Sequence, residues 1–568
     1  MTLTAPEQLT AEPEPRQPRR ERTGWPAVAA SVVGGTALIA LHGSFYGNWV
    51  VDDAAITFAY ARNIAEGAGS VLQPGAEPTE GYSNPAWLAV MALGRVLGLF
   101  DRGTIFGVPD YVLFPKALAV LCCAGVLLAC HTAARRVFRR PWPVTLAFGA
   151  VLAAVPSFVI WMFSGLENPL YALVTCWLAV VLFGAVLDDR LWSNRVAVVA
   201  GLLVALAALT RPDGLVYVAA YPLVTLVHLR RTGLLVAARA VALSTAAFLV
   251  PFGTYVAWRR LEFGRWLALP AAAKGQAAPE LDQFVRVGEV VQYAGAFAVL
   301  VVAVCLGVVL ARGSRLGSGL VALLVPLGLA LTAFAVLAPD WMGQLRFATP
   351  VWVLGALIAV FAVARLLARA TARRRVAVAA AVIAAALPSA AWFTTTADEF
   401  RTAPIVPMCL VTETFGRGYN GLADILGVER ATLALPDVGG TALASRLTVV
   451  DLAGLAEPRL ADLWGAKDMA GLRDYVFDRA RPTFLHSHGF WSQTTGIADD
   501  PRLAADYYVI SAGPVAQDWV RRDAVPDAAR LEQLREYVRT ELTPAVRAQE
   551  NAPRGHCGPT LRPGQLPG

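Results

Sequence analysis

Two adjacent carboxylates, Asp52 and Asp53, follow closely on the first long apolar stretch of the chain, Trp25 to about Leu41. Charge beside a bilayer is costly to dehydrate, so a pair of acids there points to a working site rather than filler. A carboxylate in that place can take a proton from a hydroxyl or help to hold a cation. Ile56, Tyr60 and Ile64 then recur at helical spacing, which predicts an amphipathic helix. The loop from Pro74 to Pro85 brings two more acids, Glu77 and Glu80, with Tyr82 and Asn84. Together these residues could lay a polar site on a membrane surface. The plainer reading is a solvated loop whose acids cap helices.

Composition says what must position them. Of 568 residues, 56% are hydrophobic and 16% charged, with a mean hydropathy of +0.52. Soluble chains carry about a quarter charged residues, so an integral membrane protein is predicted. Apolar runs of roughly spanning length occur at about 26–44, 112–133, 142–163, 169–187, 194–210, 213–229, 237–258, 288–311, 318–338, 346–368 and 375–393. A further run, 85–100, is shorter and interrupted by Arg95. If it lies along the surface, nearly all the arginine clusters fall on the cytoplasmic side, from Arg16–Arg22 and Arg135–Arg140 to Arg369–Arg375. Eleven spans are therefore predicted in a multi-pass cell-membrane protein with a cytoplasmic N-terminus. The net charge of +7 then reflects orientation and gives no reason to invoke nucleic acid. Residues 1–24 read as a disordered cytoplasmic segment and 25–393 as the membrane domain, with its first external loop at 45–110. Residues 394–568 read as an external α/β domain. No small-residue cleavage site follows the first apolar stretch, which is expected to remain as an anchor.

In that orientation one face collects Asp52-Asp53-Ala54, Glu80-Gly81-Tyr82-Ser83-Asn84-Pro85, Ser164-Gly165-Leu166-Glu167 and Arg211-Pro212-Asp213-Gly214. Phe263-Gly264 with Leu269-Pro270 and Lys274, and Asp340-Trp341-Met342 with Arg346-Phe347, join them. Asp437-Val438-Gly439-Gly440 and Val450-Asp451-Leu452 follow the last span. From about Asp52 to Leu455 this series resembles the GT-C superfamily, multispanning glycosyltransferases that use polyprenyl-phosphate sugars. Within it, the resemblance is to actinobacterial arabinofuranosyltransferases of the AftB type. The resemblance implies a GT-C-like helical membrane domain and transfer of D-arabinofuranose from decaprenyl-phosphate-arabinose. The acceptor would be a cell-wall arabinan, of arabinogalactan or lipoarabinomannan, at the outer face. It implies no required cofactor; a divalent cation at the acid pair is not favoured. Two departures stand out: Ala271-Ala272-Ala273 follows Pro270 where the family usually has Asn-Thr, and Asp213 stands where Glu is common. A polyprenyl-phosphomannose donor is the alternative within the class. A lipid-linked glycan flippase is the alternative outside it, but that calls for internal repeats and mid-membrane polar groups, and here Lys116, Ser157 and Ser244 stand isolated.

Sugar transfer from a polyprenyl phosphate needs a base for the acceptor hydroxyl and positive charge for the departing phosphate. Asp52 is expected as the base and Asp53 as its positioning partner, with the reversed assignment open. Lys274, Arg346 and Arg211 are the expected phosphate ligands, since these side chains hold anions through charged hydrogen bonds. Glu80, Tyr82, Asn84, Glu167 and Trp341 are expected on the acceptor or sugar, although Glu167 could equally cap the next helix. Arg259 and Arg260 are expected to snorkel at a span end. Segments 237–258 and 288–311 are the expected walls of a groove for the membrane lipid of the donor.

Beyond Thr394 the apolar runs shorten. Ala431–Leu435, Leu447–Leu452, Thr483–His486 and Tyr507–Ile510 read as buried strands and Ala528–Glu541 as a helix. Cys409 and Cys557 lie near the two ends of this region, in an oxidising setting, and are expected to form a disulfide. His486-Ser487-His488 has no third ligand nearby in sequence, so no metal is expected there.

Overall fold

The computed structural model describes residues 24–230, 233–276, 278, 280–512, 516–545 and 547. The predicted N-terminal segment falls almost wholly outside them, as does Cys557. Among the described residues, seven helices are long and apolar enough to cross a membrane, or nine spans if each of two bent pairs counts as one. Nine of the eleven expected runs coincide with these spans, and the other two, 194–210 and 213–229, fall on helices below that length. Asn194–Thr210 and Pro212–Val227 are shorter apolar helices, the second beginning as a 3-10 turn. Pro141–Ala154 and Pro156–Met162 meet at 86°, where Pro156 cannot donate to the preceding turn. Leu281–Ala294 and Ala296–Ala311 meet at 99° around Gly295, whose φ of +90° suits glycine alone.

The run at 85–100 forms the helix Pro85–Val96. Its 12 residues extend about 18 Å, too short for a hydrocarbon core of about 30 Å. It packs on Asp52–Ala65, the acid helix, which is buried along most of its length. Arg62 of that helix donates to both carboxylate oxygens of Asp101 (2.6 and 3.0 Å) and to the backbone oxygen of Leu443. An amphipathic helix is what the spacing predicts, and such a helix ordinarily keeps one face in water. Here the polar face is covered by protein, and Arg62 and Asn63 are buried with partners.

The last long helix, Ala372–Thr402, runs past the expected boundary at 393. The chain then returns to the acid helix: Val51 bridges Pro407, Asp52 N–H donates to Val406 and Trp49 Nε1 donates to Ile405. The sheet that follows has five strands, in the spatial order Thr448–Asp451, Thr432–Leu435, Phe484–His488, Ala516–Arg521, Tyr507–Ala512. The first three are parallel and the last two antiparallel. Leu433, Leu435 and Phe484 pack into a core on one face, and Ala434, Leu485 and Trp519 into a core on the other. Burial on both faces explains why these strands read as continuous apolar runs. Ala516–Arg521 was not expected, since Gln517 and Asp518 interrupt its apolar residues Ala516, Trp519 and Val520.

Candidate active site

Asp53, on the first turn of the acid helix, lines a cavity of about 350 Å³. Several separate segments meet it there. The turn Ser164–Glu167 closes in because Ser164 O accepts from Val51 N–H and Gly165 O accepts from Trp87 Nε1. Gly165 adopts φ +88°, and a Cβ there would lie 2.7 Å from Val50 Cγ1, so only glycine permits the approach. Glu167 enters the cavity accepting from Asn84 Nδ2 at 2.8 Å and Arg211 Nη1 at 2.8 Å. Arg211 also pairs with Asp213 at 2.9 Å.

Arg346 arrives on a turn in which Gln344 and Leu345 both take left-handed backbone conformations (φ +46° and +47°). Such strain persists only where neighbours fix it. Ser157 Oγ and Trp161 Nε1 both donate to Gln344 O, at 2.7 and 2.9 Å. The guanidinium of Arg346 pairs with Asp340 at 2.7 Å, and the Phe347 ring lies 4.9 Å from both Arg346 and Arg211.

Lys274 ends the short helix Leu269–Lys274, which Gly275 stops with φ +51°. Leu269 N–H donates to Glu80 O, placing this helix against the loop after the acid helix. Lys274 makes no hydrogen bond or ion pair among the described residues, and it is accessible through the cavity it lines. Arg211 and Arg346 spend their charge on protein acids. Lys274 is the cation left for a ligand. Burial lowers its pKa, with Arg346 acting in the same direction.

The two acids part company. Asp52 does not line the cavity; it points to Val438–Ala444, a glycine-led helix of the C-terminal domain. Its Oδ1 accepts from Gly440 N–H at 2.7 Å and its Oδ2 from Gly439 N–H at 3.2 Å. Asp52, the expected base, thus has both carboxylate oxygens engaged by the C-terminal domain. The Asp53 carboxyl is pushed up by burial, Arg346 and Lys274 opposing the shift and Asp340 and Glu167 reinforcing it. Burial also pushes Asp52 up, against the two backbone donors.

Of the other expected residues, Tyr82 and Asn84 line the cavity. Glu80 does not: it is buried, pairs with Arg259 and accepts from Tyr255 Oη at 2.5 Å. Arg259 is thus an ion-pair partner rather than a snorkelling side chain. Removing one member of a buried pair leaves an unsatisfied charge, at a cost of about 3–5 kcal/mol. Arg259→Met is therefore expected to lower the Tm of the detergent-purified protein clearly, and an unchanged Tm would refute the pairing. Trp341 is 60% exposed and does not line the cavity. Neither 237–258 nor 288–311 lines the cavity; its apolar wall is Pro270, Ala271, Leu337 and Phe347. Thr57, Asp213 and Leu455 line it without having been expected to. Thr57 lies one helical turn beyond Asp53, a spacing the sequence does show. Cys409 is disulfide-bonded, and Cys557 lies outside the described residues.

No protein-family model and no curated protein matches this chain. Solved structures do. ArnT from Cupriavidus metallidurans, bound to undecaprenyl phosphate, superposes with TM-score 0.52 at 14% identity, over 89% of this chain and 100% of that one. The oligosaccharyltransferase AglB from Archaeoglobus fulgidus, in complex with an inhibitory peptide and a dolichol-phosphate, gives 0.51 at 11% identity over 90% and 77%. The chain has the GT-C fold. Arabinofuranosyltransferase AftD from Mycobacteria overlaps at 0.47, with 18% identity over 87% of this chain and 40% of that one, too loose a match to bear on the sugar. In GT-C terms, a helical membrane domain here carries an α/β domain, and the cavity lies where Leu455 of the second meets Asp53 of the first.

Proposed function

We propose that this chain is a polyprenyl-phosphate-sugar-dependent glycosyltransferase acting at the outer face of the cell membrane. One observation carries the reading: a half-buried carboxylate, Asp53, shares a cavity of about 350 Å³ with a cation, Lys274, that has no hydrogen-bond or ion-pair partner among the described residues. Displacement at an anomeric carbon needs that pairing. Asp53 takes the proton of the acceptor hydroxyl as the new C–O bond forms, and Lys274, backed by Arg346, holds the phosphate as the old bond breaks. Asn84 and Tyr82 offer hydrogen-bonding groups to sugar hydroxyls, and Glu167 is oriented by Asn84 and Arg211 beside them. Two proteins of this fold were solved with a polyprenyl or dolichol phosphate, which supports a lipid-linked donor. No metal ion is needed for this chemistry, because the phosphate is already a good leaving group.

The sugar is assigned from the sequence resemblance: D-arabinofuranose from decaprenyl-phosphate-arabinose, delivered to a cell-wall arabinan. Membranes containing the protein are expected to consume synthetic decaprenyl-phosphoarabinose in preference to the phosphomannose analogue. Preference for mannose would overturn the donor assignment and leave the reaction class standing.

The charge environment fixes a pH profile. A base works when deprotonated, so a raised Asp53 pKa sets the acid limb of kcat/KM above the ordinary carboxylate value of about 3.9. A phosphate ligand works when protonated, so a lowered Lys274 pKa sets the alkaline limb below the ordinary value of about 10.4. Replacing Lys274 with Arg should move the alkaline limb upward. An alkaline limb unmoved by that change would exclude Lys274 as its source.

A further inference from the structure

The sheet of the C-terminal domain brings together three side chains that transfer chemistry does not use. His486 and His488 are two residues apart on the strand Phe484–His488, so both rings stand on one face. Asp437 comes to them from the start of the glycine-led helix. One ligand atom from each of the three lies within 4.8 Å of the others. His488 Nε2 is 2.7 Å from Asp437 Oδ2.

Two features set this cluster apart from a satisfied core histidine. Asp437 occupies the N-cap position of Val438–Ala444, yet its carboxylate makes no capping bond to that helix. The N–H groups it would ordinarily take, those of Gly439 and Gly440, go to Asp52 instead. The Asp437 carboxylate is thereby released toward the histidines. His486 is the second feature. It is 3% exposed, its Nδ1 is held by Asp518 Oδ1 at 2.6 Å, and its Nε2 is buried without any hydrogen-bond partner. Asp518 is itself held by Tyr419 Oη at 2.6 Å. A carboxylate that binds one imidazole nitrogen and leaves the other bare is the usual support of a metal-bound histidine.

We propose that Asp437, His486 and His488 form a site for one divalent transition-metal ion, with water completing the coordination. Two imidazoles and one carboxylate match Zn²⁺, whereas Mg²⁺ and Ca²⁺ prefer all-oxygen sets. The ion would tie the sheet to the glycine-led helix that grips Asp52, and so fasten the C-terminal domain to the acid helix. Its role is structural, which keeps it independent of the donor and of the reaction.

The test uses the full chain, purified in detergent without a polyhistidine tag, stripped with chelator and titrated with Zn²⁺ by calorimetry. One equivalent per chain is expected, with a rise in Tm that Mg²⁺ at the same concentration does not give. His488→Asn and His486→Ala should each abolish the high-affinity uptake, and Asp518→Asn should weaken it by about ten- to a hundredfold. Each variant is compared at matched metal-free Tm, so that a misfolded chain is recognised. Absence of Zn²⁺ uptake by the wild-type chain would overturn the site. Uptake that survives in His488→Asn would do so too, by placing the ion elsewhere.

Discussion

Asp53→Asn is expected to lower kcat by about a hundred- to ten-thousandfold, the range a positioned general base supplies. The amide keeps the shape of the carboxylate and removes its capacity to accept a proton. The Tm should hardly change, because Asp53 faces a cavity and its burial already disfavours the charged form. Asp52→Asn separates the two acids. Its amide nitrogen cannot accept from Gly439 or Gly440, so one buried N–H loses its partner at a cost of about 1–3 kcal/mol. That variant should lose stability first and activity as a consequence. A fully stable but inactive Asp52→Asn, beside an active Asp53→Asn, would reverse the assignment.

The second large effect is expected at Gly439. A Cβ there would sit 2.1 Å from the Asp52 backbone oxygen and 2.8 Å from its carboxylate. Backbone cannot rotate away as a side chain can, so the two helices must separate. Gly439→Ala should therefore lose at least the 1–3 kcal/mol typical of overpacking, about the same again for the broken hydrogen bonds, and nearly all turnover. Limited proteolysis should then cut between the last long helix and the sheet, near residues 402–408, where the wild-type backbone is pinned to Val50 and Asp52. A Gly439→Ala chain with wild-type Tm and cleavage would show that the domain contact is not tight.

These two variants also mark how far the sequence could be read. Long apolar runs, arginine clusters and buried strands come from periodicity and composition, and the helices and four of the five strands are found where those signals lie. Which of two adjacent acids does the chemistry does not come from periodicity. Successive residues on a helix point about 100° apart, so Asp52 and Asp53 must face different partners. The partner of Asp52 is a glycine pair 387 and 388 positions away, which no local pattern foretells. The ion pair of Glu80 is hidden for the same reason: its partner Arg259 is 179 positions distant. Trp341 is the opposite case, an aromatic in a site-like motif that the fold turns to solvent. Asp437 was separated from the histidines by some fifty positions, and only the parallel pairing of their neighbouring strands brings them together. The apolar runs 142–163 and 288–311 do not reveal in sequence that a proline or a glycine bends them by 86° and 99°.

The central claim is that the cavity beside Asp53 is built for a lipid-linked phosphate held by Lys274. The most direct measurement is binding of decaprenyl phosphate to the purified protein, comparing the wild-type chain with Lys274→Met and with Arg530→Met, a cation on the helix Ala528–Tyr537 that does not line the cavity, as a control. A charged hydrogen bond contributes about 1.5–3 kcal/mol, so Lys274→Met should weaken binding roughly ten- to a hundredfold while the control is unaffected. Equal affinity in all three chains would mean that the phosphate binds elsewhere, and the reading of the cavity would be wrong.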